Sequence, residues 1–250
     1  MKCVVIHGSP RRGNTWDVLE KVKEEMNKYG EFEFEVIELA KEKIPNCIGC
    51  FNCILKGEET CPHSERMENI ISKVDEAECL IVTSSVYSMN VTGTLKTFLD
   101  HMSFKFHRPT YFEKKALVVT TTAGAGHEKV GNYIKEVLEY WGINSIKVLP
   151  IAYRSEILTD KNIKKIEKMG KEFALELESK KLRKPRLKSV FMYNGWKAMA
   201  MNSSHESADY KHWKWKATKD VLYDENVKIG LISKVVGKFG YKVMKKATKK

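Results

Sequence analysis

Val5-Ile6-His7-Gly8-Ser9-Pro10-Arg11-Arg12-Gly13-Asn14-Thr15 carries an apolar run that begins at Cys3 directly into a loop suited to phosphate. Gly8 and Gly13 permit sharp turns and close backbone approach, while Ser9, Asn14 and Thr15 supply hydroxyl and amide donors. A helix starting near Asn14 points its unpaired N–H groups and positive dipole end at the same spot, so an anion is expected there. Two nucleotide fingerprints are missing: the loop has no Gly-x-Gly-x-x-Gly and does not end in Gly-Lys-Ser/Thr. The reading is therefore one terminal phosphate, held by Ser9, Arg11, Asn14 and Thr15. His7, beside the loop, reads as a packed strand residue rather than an acid or base.

Four more short, β-branched runs follow, at Phe32–Leu39, Cys79–Thr83, Ala116–Thr121 and Ser145–Pro150. Together with Lys2–Ile6 they predict five parallel strands covered on both faces. Helical spacing fills the intervals: Trp16–Asn27, Ser64–Val74, Thr92–Met102 and His127–Trp141, then residues 160–180 with Asp160 as the expected cap. Alternating strands and helices with right-handed crossovers give an α/β, doubly wound five-stranded sheet of order 2-1-3-4-5. In such a sheet a ligand sits past the carboxyl ends of strands one, three and four.

The loops at those ends are unusual in composition. After the third strand comes Ser84-Ser85-Val86-Tyr87-Ser88-Met89-Asn90-Val91-Thr92-Gly93, and after the fourth Thr121-Thr122-Ala123-Gly124-Ala125-Gly126. Both are small, polar and glycine-bearing. The stretch Ser84–Asp100 resembles Ser-Pro-Val-Tyr-x-x-x-Val-Ser-Gly-x-Leu-Lys-x-Phe-x-Asp of the flavodoxin-like NADPH-dependent FMN reductases and iron–sulfur flavoproteins, with Ser85 where that family has proline. The first loop resembles their FMN-phosphate loop, and the third their loop at the pyrimidine side of the isoalloxazine. The resemblance covers residues 1 to about 180. It implies a flavodoxin-like fold and FMN-dependent electron transfer from NAD(P)H, or from a reduced iron–sulfur partner, to a small-molecule or protein acceptor. It also implies ring contacts from Ser85, Val86, Tyr87, Ser88, Met89 and Asn90, with Tyr87 the aromatic nearest the ring. Backbone donors are implied at Thr122, Ala123 and Gly124. FMN would carry the chemistry, so no catalytic side chain is expected, and a homodimer or tetramer is implied.

Cys47-x2-Cys50-x2-Cys53-x7-Cys61-Pro62 occupies the loop after the second strand. Thiolates two residues apart, repeated and closed by a distant fourth, suit three corners and then the last corner of a [4Fe–4S] cube, and the same spacing resembles the iron–sulfur flavoprotein motif. Structural zinc and free or redox thiols are the other readings of these four residues. Cys3 and Cys79 fall within strand patterns and read as core. His101, His107, Arg108 and Tyr111 lie in a segment that reads as a surface loop, with cover for the flavin as the second reading.

The 250 residues are 42% hydrophobic and 30% charged, ordinary for a globular protein with a full core. No apolar run reaches the length needed to span a bilayer and no leader pattern opens the chain, so a cytoplasmic protein without membrane contact is expected. The net charge of +12 is lopsided: residues 180–250 hold 19 Lys/Arg against 5 Asp/Glu, leaving residues 1–179 near −2. This predicts an FMN-binding domain over 1–180 and a basic, helical extension over 181–250, with an aromatic group at Tyr210, Trp213 and Trp215. A last helix from about Val227 places Ile229, Ile232, Val236, Phe239 and Val243 on one stripe, expected to dock on the body or on a dimer mate. Two further functions are weighed: a [4Fe–4S]/FMN carrier or redox sensor without rapid turnover, and a basic module whose tail engages nucleic acid or membrane. The apolar stripe speaks against nucleic acid.

Overall fold

The computed structural model describes residues 1–154 and 158–249. Strands β1 (Lys2–His7), β2 (Glu33–Glu38), β3 (Cys79–Ser85), β4 (Lys115–Thr122) and β5 (Ser145–Ala152) form one sheet of order β2-β1-β3-β4-β5. Every pairing is parallel. The expected order is therefore the observed one.

Strand side chains alternate between two layers of helices. Val4, Ile6, Leu80, Val82, Ala116 and Val118 pack against α2 (Ser64–Glu76), α3 (Gly93–His101) and α4 (His127–Tyr140). Cys3, Val5, Ile81, Leu117 and Val119 pack against α1 (Asn14–Met26) and α5 (Asp160–Glu178). Cys3 and Cys79 are fully buried, as read. Each large apolar side chain taken out of water this way contributes about 1.5–3 kcal/mol. The central strands β1, β3 and β4 are buried nearly throughout, whereas β2 is an edge with Glu33 exposed and Glu35 paired to Lys2 and Lys73. Burial on both faces, expected of every strand, thus fails at this edge.

Helix starts follow hydroxyl chemistry. Thr92 Oγ1 accepts from Leu95 N–H at the head of α3, and Thr159 Oγ1 accepts from Asn162 N–H at the head of α5. The cap of α5 is therefore Thr159, and Asp160 sits in the first turn, where its charge faces the positive helix end.

Beyond α5 come α6 (Leu187–Met201), α7 (Ala208–Thr218) and α8 (Leu231–Ala247). Val190, Tyr193 and Ala200 of α6, Trp213 of α7, and Tyr223 and Val227 gather around Phe112 of the body in a third apolar cluster. Trp213 is fully buried and its Nε1–H donates to His107 O at 2.8 Å, while Trp215 is exposed. The last helix corrects the expectation that its apolar stripe docks on the body. It meets α6 through Ser233, Gly237 and Gly240, where a Cβ on Gly240 would stand 2.9 Å from Phe191 O. Ile232, Phe239 and Val243 are exposed, with the Phe239 ring reaching Phe191 of α6 at 6.4 Å between centroids, and only Ile229 and Val236 of the expected stripe are partly buried. Among the described residues no helix is long and apolar enough to cross a membrane.

Candidate functional site

The carboxyl ends of β1, β3 and β4 lie level, with His7 opposite Thr83 and Ser85 opposite Thr121. Gly8 lies against the neighbouring strand, its N–H donating to Thr83 O at 2.9 Å. Its carbonyl accepts from the Thr94 hydroxyl at 2.8 Å, which ties the first loop to the head of α3. Ser9 Oγ accepts from Ser85 N–H at 3.1 Å, joining the loops after β1 and β3. Thr15 shares a 2.6 Å hydrogen bond with Thr121, joining α1 to the end of β4. Helix α1 has no side-chain cap at Gly13; the Trp16 N–H donates to Gly13 O at 2.7 Å, and the N–H groups of Asn14 and Thr15 stay available to a ligand.

The two arginines differ. Arg12 is bound to Glu38 and lies over the Trp16 ring at 4.1 Å, and its charge together with Lys41 takes the Glu38 carboxyl down to about 2. Arg11 has no acidic partner among the described residues and lines the groove described next. His7 is buried, accepts from the Thr83 hydroxyl at Nδ1 (2.8 Å) and faces Arg11 O at Nε2 (3.5 Å). Burial pushes its imidazole below the usual value, as suits a packed neutral residue.

An open groove of about 200 Å³ runs between the three loops, lined by Ser9, Pro10, Arg11, Gly13, Asn14, Thr15, Ser85, Val86, Tyr87, Thr121, Thr122 and Ala123. Nine of the predicted ligand residues meet there. Ser88, Met89, Asn90 and Gly124 do not line it. Tyr87 and Asn90 exchange two backbone hydrogen bonds of 2.9 Å, with Ser88 and Met89 at φ 47° and 64° between them, a tight type I′ turn. Gly124 N–H donates to Thr122 Oγ1 at 3.1 Å, so its hydrogen goes into the loop's own turn. Tyr87 is 49% exposed rather than packed beneath its loop.

The four loop cysteines line a separate cavity of about 540 Å³, together with His63, His101, His107, Tyr133 and Trp196. No disulfide joins them, and among the described residues no three metal-binding side chains converge to ligating distance. His101 Nε2 faces Pro45 O at 2.8 Å, which leaves Nδ1 as acceptor for the Cys61 thiol at 3.8 Å. Burial raises the Cys53 thiol above its ordinary value.

The segment 101–111 is not a surface loop and does not cover the groove. Arg108 is 6% exposed and Tyr111 2%. Arg108 donates to Cys53 O at 2.7 Å, to Glu58 at 2.8 Å and to Asp209, while His107 pairs with Asp209 at 2.7 Å. Tyr111 donates to Asp75 at 2.6 Å. Arg108 thus fastens the cysteine loop to α7. Sequence reading missed it because its partners lie 50 to 101 positions away. The only local signal was a charged residue beside a run of aromatics.

Comparisons agree with this architecture. The model of the NADPH-dependent FMN reductase family matches residues 1–152. An iron–sulfur flavoprotein of Archaeoglobus fulgidus is 34% identical over 225 residues, covering 86% of this chain and 99% of its own. An NADPH azoreductase of a Bacillus species is 28% identical over 127 residues, 50% of this chain and 61% of its own. Among solved structures, an FMN-dependent NADH-azoreductase from Bacillus anthracis in complex with FMN superposes with a TM-score of 0.54 at 15% identity, over 71% of this chain and 99% of that one, a likeness of fold. With the sheet order in place and the three loops meeting at one groove, the match over residues 1–152 and the 34% identical relative show that the chain belongs to the NADPH-dependent FMN reductase family and is an oxidoreductase with iron–sulfur flavoprotein relatives.

Proposed function

We propose that the groove between the loops after β1, β3 and β4 holds one FMN and that the protein passes electrons from NAD(P)H to an acceptor. The observation that carries this reading is the meeting of three separate loops at one groove, around a helix start that lacks its own cap. The residues present fit the group: first-turn N–H groups of α1, the Asn14 amide and the Arg11 guanidinium suit a terminal phosphate dianion, and no fingerprint beside them suits a second phosphate. Bound FMN supplies the hydride and electron chemistry. The chain's own residues then bind, orient and exclude water. Ser9 and Thr15 fix the relative position of the three loops, Tyr87 offers an exposed aromatic face, and Val86, Ser85 and Ala123 line the ring side. His7, buried and hydrogen-bonded, moves no proton.

The reading extends to the cysteine loop. Cys47, Cys50, Cys53 and Cys61 open onto one cavity with no disulfide among them; their number and spacing suit a [4Fe–4S] cluster, which would need the loop to draw the four thiols together and would store single electrons within the flavin-binding domain. Residues 1–180 form the FMN-binding domain and 181–250 the extension of a cytoplasmic reductase. A second reading, an electron carrier or redox sensor, draws on the Cys61–His101 contact, which places a thiol against a histidine acceptor. Mixing flavin-loaded protein with NADPH or NADH under anaerobic conditions separates the two. Rapid loss of flavin absorbance is expected for the reductase. Slow bleaching with iron and sulfide present would favour the carrier.

A further inference from the structure

Helix α8 is attached by its small residues and shows its large ones to solvent. Ser233, Gly237 and Gly240 bring it close enough to α6 that a Cβ on Gly237 would stand 2.8 Å from Asn194 Nδ2. On the outward side Leu231, Ile232, Val235 and Phe239 are 81%, 70%, 69% and 61% exposed, and Val243 extends the row. At 3.6 residues per turn these five span an arc of about 120°, one continuous stripe. Lys234, Lys238 and Lys245 run along one flank, and Lys242 and Lys246 sit within the arc. No acidic residue occurs anywhere in Leu231–Ala247.

A stripe of this kind needs a cover, because large apolar side chains standing together in water mark an interaction surface. The charge selects the occupant. A second copy meeting the same stripe across a two-fold axis would bring the five lysines against five more, with no carboxylate on the helix to offset them. The body offers little negative charge in excess, since residues 1–179 sum to about −2. An anionic phospholipid bilayer answers both features. The apolar stripe sinks to the boundary of headgroups and acyl chains, and the lysine stems reach up to the phosphates.

We propose that α8 is an interfacial helix that seats this protein on an anionic phospholipid bilayer, lying in the plane of the surface. The sequence alone favoured a protein surface for this stripe, on the expectation that the stripe was the docking face. In the structure the chain's own body leaves the stripe uncovered, because α8 meets α6 through its small residues instead. Lying flat differs from spanning, and α8 at 17 residues is rich in lysine and too short and polar to cross.

The test uses the full chain, with its flavin, in sedimentation with vesicles of equal parts phosphatidylglycerol and phosphatidylcholine and with vesicles of phosphatidylcholine alone. Binding is expected to the anionic vesicles, at least tenfold above the neutral ones, and to weaken with salt. Ile232→Ser with Phe239→Ser should abolish it, and each of Lys234→Gln and Lys238→Gln should weaken it about fivefold. All four side chains are exposed, so flavin retention and the far-ultraviolet circular dichroism spectrum should match the parent. Absence of vesicle binding by the parent overturns the proposal. So does binding that the serine pair leaves intact, since lysines alone would then account for it. If the serine pair instead converts an oligomer to monomers without any vesicle binding, the stripe is a contact between copies. Salt-sensitive binding to RNA that exceeds vesicle binding would assign the surface to nucleic acid.

Discussion

At Gly8 a side chain has nowhere to go: a Cβ would lie 2.7 Å from Thr83 O and 2.8 Å from Leu95 Cβ. The backbone must pass this close for Ser9 to reach Ser85 and for the loop to turn its donors into the groove. The same scale separates two adjacent arginines. Arg11 lines the groove without an acidic partner among the described residues, while Arg12 is held by Glu38 and Trp16. Arg11→Ala should therefore weaken FMN binding by about 1.5–3 kcal/mol, the range for a hydrogen bond to a charged group, and Arg12→Ala should leave it unchanged. Titration calorimetry with apoprotein reads both, and equal losses would move the phosphate away from Arg11. This much of the site was legible because its donors stand in one contiguous stretch. Arg108 was not, since nothing near position 108 announces that Cys53, Glu58 and Asp209 will converge on it.

Among the elements, strands and body helices were legible to within two residues at each end, because a buried parallel strand is apolar throughout and an amphipathic helix repeats every 3.6 residues. Helix α8 shows where periodicity stops being informative. It shows that a stripe exists, and it does not say that the opposite, small-residue face lets two backbones approach more closely. Helix α6 carries a related surprise in Lys197, which is 1% exposed and whose ammonium donates to Val221 O. Burial takes its pKa down to about 8. Below pH 8 the folded state holds this charge at a cost. Between pH 8 and about 10 the folded chain sheds the proton while the unfolded chain keeps it, so the Lys197 contribution makes stability rise with pH in that window. Lys216, also depressed by burial, adds to the same slope. Lys197→Met should flatten part of the rise, checked by denaturant melts at half-unit pH steps. An unchanged slope would mean the ammonium is solvated.

Over the whole molecule, the groove and the cysteine cavity are separate, and the C-terminal helices attend to the second. Asp209 of α7 is bound to both Arg108 and His107, and Arg108 in turn holds Cys53 O and Glu58. Asp209→Ala leaves a buried guanidinium short of a partner, which should cost about 3 kcal/mol of stability and speed the reaction of the loop thiols with a thiol-specific reagent. FMN affinity should not change, because no residue of α7 lines the groove. Thiol kinetics beside a flavin titration decide it, and a parallel loss of FMN would show the two sites to be coupled. The central claim concerns the groove itself, and it is tested most directly by loading the protein with flavin, denaturing it and identifying what is released by chromatography. One FMN per chain is the expected result. Recovery of FAD, or of no flavin after reconstitution, would contradict a site built for a single terminal phosphate.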